Sequence, residues 1–382
     1  RRIENAGQET GEKNLEKCDE VLNRIKAGIQ VLRDDDLAFQ AFQFANSAIY
    51  MQMFHTAKYF DMNKGYERYE WNFGKMPEYE DYRTLPFPNR KIPKWRPFQL
   101  AFFLLSIPSY VNPESTVRKL VDLIWFPTGG GKTEAYLAVS AFLIFYRRLK
   151  YSGSYGGVNI IMRYTLRLLT AQQFERASKV IFACEKIRKA HVSTFGDERI
   201  SIGFWVGDKM IPNKADKAKK ELAKIIDLLN QGRNVINKFQ VSTCQWCNTK
   251  TITKLNEQNK ELKISFREGS SKLSIRAGCN NPECDFYERK DGMPLVLVDD
   301  DIYNNPPTIL FGTVDKFARL AWEGNARKLF NRHNNNRPPE LIIQDELHLL
   351  SGPLGSITGL FENVILELCK HHHLKCHSKK CG

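Results

Sequence analysis

Glycine, lysine and threonine meet at one point of this chain. Gly129, Gly130 and Gly131 follow Thr128 and lead into Lys132, Thr133 and Glu134. Successive glycines let backbone N–H groups turn inward and approach an oxyanion closely. A helix beginning there adds partial positive charge. Lys132 can then reach β- and γ-phosphates, and the Thr133 hydroxyl can ligate Mg²⁺. The expected ligands are ATP and Mg²⁺. A strict phosphate loop has glycine where Phe126 stands, so this is a variant. A plain glycine-rich turn is the alternative.

A phosphate loop needs carboxylates for its metal and for water. "LIIQDELHLL" (341–350) offers both at the end of an apolar run. Asp345 is the candidate to hold Mg²⁺, Glu346 to orient and deprotonate water. His348 is the candidate to sense the γ-phosphate or to pass its state to other parts of the site. Alone, the stretch also fits a solvated acidic turn. With the glycine loop it requires Lys132 and Asp345 to converge on one metal-chelated triphosphate from neighbouring strands.

A second chemistry lies in "CQWC" and "CNNPEC". Cys244, Cys247, Cys279 and Cys284 can close a tetrahedral Zn²⁺ site on two knuckles. Four thiolates leave no open position, so the expected zinc is structural. Four unrelated buried thiols are the alternative. "KTITKLNEQ" and "LKISFREG" between them read as hairpin strands. Lys250, Lys254, Lys272 and Arg276 fit either a nucleic-acid contact or a solvated face. Cys18 and Cys184 sit in helical patterns and read as free thiols.

These residues need a scaffold. "KLVDLIWF", "GGVNIIMRY", "RISIGFWV", "PPTILFGT" and "PELIIQ" each read as a buried strand, with helices between most of them. That alternation predicts an α/β fold with a mainly parallel sheet and helices on both faces. Leu137–Tyr146, followed by Arg147 and Arg148, reads as a buried helix. Residues 213–234 read as an amphipathic helix with Leu222, Ile225, Ile226 and Leu229 on one face. Phe42, Ala45, Ile49 and Met53 form a helical core stripe. Prolines 77, 86, 88 and 93 suggest a boundary near residue 90.

The expected organisation is therefore a helical region over 1–90 and a phosphate-loop domain over 91–239 and 291–368. A zinc-ribbon-like insertion occupies 240–290, and a disordered or truncated tail 369–382. The tail "CKHHHLKCHSKKCG" is read as frayed, with any metal binding adventitious. Arg1 stands where a methionine would begin, so a fragment or processed product is expected.

At 42% hydrophobic and 26% charged residues, the composition is that of a soluble globular protein. No apolar run approaches a membrane span, and a cytoplasmic location is expected. A net charge of +14 favours a polyanionic partner, or serves solubility alone.

"PTGGGKTEA" with "DELH" resembles motifs I and II of superfamily-two helicases, the DEAD/DEAH-like motors. "WRPFQLAF" resembles their upstream adenine-reading element, which implies Gln99 as reader with Arg96 beside it. "RYTLRLLTAQQ" resembles the backbone-contacting motif Ia, implying Thr165, Arg167 and Gln172. "FGTVDKFARL" resembles the next such motif, implying Thr313 and Lys316. The resemblance covers 95–368 and implies one RecA-like domain. More narrowly, "MRYTLRLLTAQQ", "GTVDKFA" and "QDELHLLSGPLGS" together resemble the helicase component of the bacterial DISARM phage-defence system. That implies an ATP-driven motor on nucleic acid, DNA before RNA, with protein partners in a defence complex. A non-hydrolysing ATP- and DNA-binding scaffold is the alternative. No S-A-T or Q-x-x-G-R-x-x-R motif follows His348. The chain therefore reads as the front half of a motor, expected to bind ATP weakly and turn it over slowly by itself.

Overall fold

In a computed structural model, the residues described are 8–58, 76–87, 92–125, 131–164, 167–208, 210–253, 262–269, 272–320, 322–347, 350 and 353–369. Ten helices are seen among them: α1 (Gln8–Asp34), α2 (Asp36–Lys58), α3 (Pro97–Val111), α4 (Lys132–Lys150), α5 (Arg167–Ala190), α6 (Val192–Phe195), α7 (Ala215–Asn230), α8 (Asp299–Asn304), α9 (Val314–Phe317) and α10 (Pro353–Cys369). The strands are β1 (Ile160–Tyr164), β2 (Ile202–Trp205), β3 (Ile252–Thr253), β4 (Lys263–Ile264), β5 (Phe266–Glu268), β6 (Ile275–Ala277), β7 (Leu295–Val296), β8 (Ile309–Thr313) and β9 (Leu341–Gln344).

Five strands form one sheet in the order β7-β2-β8-β1-β9, every pair parallel. Residue alternation explains its two-sided burial. Ile160, Met162 and Tyr164 of β1, with Ile309 and Phe311 of β8, face a core shared with α2, α4 and α5. Ile161, Leu310 and Trp205 face the opposite core, with α8, α9 and α10. A sheet apolar on both faces reads as continuous hydrophobic runs, which is why four of the five expected strands are found.

The exception is "KLVDLIWF". Residues 120–125 form no strand. Val121 is 94% exposed and Trp125 83%. An apolar run becomes a strand only where a ladder partner accepts its N–H and C=O groups, and none among the described residues pairs with it. Asp122 instead holds Arg24 of α1 at 2.7 Å.

The expected buried helix is α4, whose residues Ala135–Arg148 are all buried. Apolar on every side, it lies between the sheet and the N-terminal helices. α2 approaches α4 closely through Ala38, Ala41, Ala45 and Ala48, all fully buried. Ala45 and Ile49 of the expected stripe are buried, with Phe42 and Met53 packed beside them. At the α1–α3 crossing, a Cβ on Gly28 would fall 1.9 Å from the Leu104 carbonyl oxygen, so only glycine permits that approach. The boundary placed near residue 90 falls in 88–91, outside the described residues, as do residues 370–382 of the tail.

α7 buries Ala218, Leu222, Ile225 and Leu229 and packs on β5 and β6. The cysteine-bearing segment forms the expected hairpin, β3 with β4, and a second one, β5 with β6. The chain then re-enters the main sheet through β7.

Candidate functional site

The residues that close the glycine run and the acidic pair meet. Gly131, Lys132, Thr133 and Glu134 line one cavity of about 1100 Å³ together with Asp345 and Glu346. Arg96 and Gln99 line it too. Two chain ends create the junction. α4 begins at Lys132 behind Gly131, whose φ of 87° suits glycine. β9 ends at Gln344, so Asp345 projects at the carboxyl edge of the parallel sheet, where open α/β folds place their ligands.

Hydrogen bonds fix both sides. Tyr136, one turn into α4, donates its hydroxyl to Asp345 Oδ2 at 3.1 Å and sits 3.0 Å from the Tyr164 hydroxyl. Burial, then the Asp345 charge, push the Tyr136 phenol upward, so it stays a donor. Asp345 Oδ1 accepts from the Glu346 amide at 2.9 Å. Glu346 has φ of 50°, a left-handed conformation uncommon outside glycine and often found at functional sites. Gln99 accepts from the Arg96 amide at 2.9 Å and donates to the Gly131 carbonyl at 2.7 Å. It thus ties the start of α3 to the loop's last glycine.

Tyr50, Tyr82 and Arg176 of the wall carry no sequence signal, whereas Trp95 and Gln173 lie within the WRPFQLAF and RYTLRLLTAQQ stretches. Gln173 of α5 takes the Thr133 hydroxyl at 3.5 Å, and Arg176 pairs with Glu134. Tyr50, Tyr82 and Trp95 line the cavity as well. Tyr50 lies on α2, which packs on α4, and Tyr82 and Trp95 bond to His55 and Asn46 of α2, contacts that no local motif encodes. Helical spacing from Gln172 would have reached Arg176.

Thr128, Gly129, Gly130, His348 and Thr165 lie outside the described residues. Arg167 is the first residue of α5, and Gln172 is exposed. Thr313 and Lys316 are buried, and Lys316 pairs with Asp299.

The four cysteines do converge. All are buried, with sulfurs within 4.8 Å of one another. Cys244 and Cys284 are 3.9 Å apart, Cys247 and Cys279 3.2 Å. Tetrahedral zinc with sulfur ligands needs S···S separations of about 3.8 Å. Asn248, at φ 60°, returns its amide to the Cys244 carbonyl at 2.9 Å and closes the first knuckle. Burial pushes the Cys244 and Cys284 thiols up, whereas hydrogen bonds from Cys244 and its neighbours hold Cys247 down. Crowded thiols of this kind fit a divalent metal that takes all four as thiolates. Lys250 and Lys272 are exposed, Arg276 is half-buried, and Lys254 lies outside the described residues.

Cys18 is exposed on α1 and Cys184 buried on α5, both as free thiols. No helix among the described residues is long and apolar enough to cross a membrane.

No family model matches the chain. Its sequence aligns at 39% identity over 406 positions with the DISARM protein DrmA of Bacillus paralicheniformis. The match covers 96% of this chain and 34% of that protein, so the chain spans about a third of its curated relative. Along nearly all of its length, then, this chain is similar to one part of the DISARM protein DrmA.

Proposed function

We propose that the chain is an ATP-binding, helicase-type motor domain that acts on nucleic acid in bacterial anti-phage defence. The observation carrying this reading is the single cavity shared by Gly131–Glu134 and Asp345–Glu346, pinned by the Tyr136–Asp345 hydrogen bond. The likeness to DrmA supports the defence setting. The net charge of +14 supports a polyanionic partner, DNA before RNA.

The work divides among residues of opposite character. Lys132 and the amino end of α4 neutralise phosphate oxygens. Thr133 and Asp345 are the residues to hold Mg²⁺, which would screen the charge that develops between phosphates. Glu346 orients the attacking water and accepts its proton. Gln99 couples the α3 edge of the cavity to Gly131, so a base contacting it is sensed at the loop. The four cysteines would hold structural zinc.

A scaffold that binds ATP and DNA without turnover is the second reading. Glu346→Gln separates the two, assayed with the chain inside its defence assembly. Loss of hydrolysis with ATP binding retained supports the motor. Absence of turnover by the unmodified assembly with any nucleic acid supports the scaffold.

A further inference from the structure

His55, on the last turn of α2, is fully buried between the cysteine centre and the cavity. Its Nδ1 lies 2.8 Å from the Trp246 carbonyl and its Nε2 2.6 Å from the Tyr82 hydroxyl. A carbonyl only accepts, so Nδ1 carries the proton and Nε2 accepts from Tyr82. The imidazole also stacks on the Trp246 indole, with centroids 3.6 Å apart. Trp246 stands inside the first knuckle, between Cys244 and Cys247. Its indole N–H donates to Asp285 at 2.8 Å, and Asp285 accepts from Lys186 of α5 at 2.7 Å. On the other side, Tyr82 lines the cavity beside Tyr79 and Arg83. A continuous run of hydrogen bonds therefore joins knuckle to cavity wall.

We propose that His55 is a positioning residue through which metal at the four thiols sets the place of Tyr82, making ligand binding in the cavity metal-dependent. The identity of that ligand, magnesium–ATP, rests on the function proposed above. The coupling depends on which parts can move. α2 is anchored along α4 by its buried alanines and does not follow the knuckle. The direction of the Trp246 carbonyl is set by the turn that Cys244 and Cys247 close. Release of the metal frees that turn, and His55 loses its acceptor and its stacking partner together. Tyr82 then keeps a partner whose orientation is no longer fixed. Coupling between two sites needs such an element with two arrangements, and the Trp246–His55–Tyr82 relay supplies one.

The test uses the full chain, zinc-loaded and chelator-stripped, with hydrogen exchange and magnesium–ATP titration as readouts. In the unmodified chain, stripping should speed exchange at residues 79–83 as well as 244–247, and weaken magnesium–ATP binding about five- to tenfold, the loss expected from one buried hydrogen bond. His55→Phe keeps an aromatic ring against Trp246 but no hydrogen bonds. It should retain zinc, exchange fast at 79–83 from the outset, and lose no further affinity on stripping. Tyr82→Phe, a milder change, should behave the same way in the titration. Stripping that opens 244–247 yet leaves 79–83 and the affinity unchanged overturns the proposal. So does a response to stripping in both variants equal to that of the unmodified chain. Should the zinc-loaded chain take up no magnesium–ATP, the nucleotide reading fails, and exchange at 79–83 alone decides the coupling.

Discussion

The Tyr136 hydroxyl donates to Asp345 Oδ2 across 209 positions of sequence, at 3.1 Å. It holds the first turn of α4 against the end of β9, and the same hydroxyl sits 3.0 Å from Tyr164. Tyr136→Phe leaves a carboxylate oxygen and a buried phenol short of a partner. A loss of about 1–3 kcal/mol is expected, read as a lower midpoint in denaturant unfolding. An unchanged midpoint would mean that the contact holds nothing in place.

Gly131 has φ of 87°, and a Cβ there would fall 2.7 Å from Gln99 Nε2. Gly131→Ala therefore meets backbone strain and a clash together. Strain at such a position costs about 1–3 kcal/mol. Gln99→Ala in the same chain relieves the clash but not the strain. Unfolding of both single variants and the double variant checks this: the double should recover part of the loss, and simple additivity would argue against the clash.

Burial pushes the His55 imidazole down to about 3, so it is neutral in the folded chain. The unfolded chain takes up a proton there below about 6.5. Between those values the unfolded state binds more protons, so this contribution to stability is present above pH 6.5 and falls as pH drops. The slope approaches about 1.4 kcal/mol per pH unit. Unfolding at pH 7, 6 and 5, at matched metal content, should show a steeper decline in the unmodified chain than in His55→Phe. Parallel declines would show that His55 is not the titrating group.

Lys316 is paired with Asp299 in a site where each side chain is 10% exposed. Burial pushes the Asp299 carboxyl up to about 6 even with Lys316 beside it. Removing one partner of a buried pair costs roughly 3–5 kcal/mol. Lys316→Met should thus be strongly destabilised at pH 7. The defect should shrink as pH falls toward 6, because without Lys316 the buried Asp299 takes up its proton at a higher pH than it does beside the lysine. Gln172→Ala, at an exposed position of α5, should leave stability unchanged. Weaker DNA binding by Lys316→Met without a stability loss would point to a direct contact instead.

Much of this arrangement is legible in sequence, for identifiable reasons. β1, β2, β8 and β9 are apolar on both faces, and their runs show it directly. Cys244, Cys247, Cys279 and Cys284 carry their ligand spacing in the chain itself. Residues 120–125 have the same apolar character, but strand formation depends on a pairing partner that local composition does not report. β7 is only two residues long and gives no periodic signal. Tyr50 and Arg176 reach the cavity because α2 and α5 pack around α4, and Tyr82 and Trp95 because they bond to His55 and Asn46 of α2, all long-range events. The His55–Trp246 contact spans 191 positions, so the docking of the cysteine centre is invisible to any local pattern.

In the proposed function, Lys132 and Asp345 serve one magnesium-bound nucleotide. Titrating ATP into the unmodified chain, Lys132→Ala and Asp345→Ala, each with Mg²⁺ and with a chelator, tests it most directly. The unmodified chain should bind only with Mg²⁺. Lys132→Ala should lose about tenfold or more in affinity, as for a charge-assisted contact. Asp345→Ala should bind weakly and with no response to Mg²⁺. Equal binding by all three chains, or binding by the unmodified chain that ignores Mg²⁺, would contradict the account.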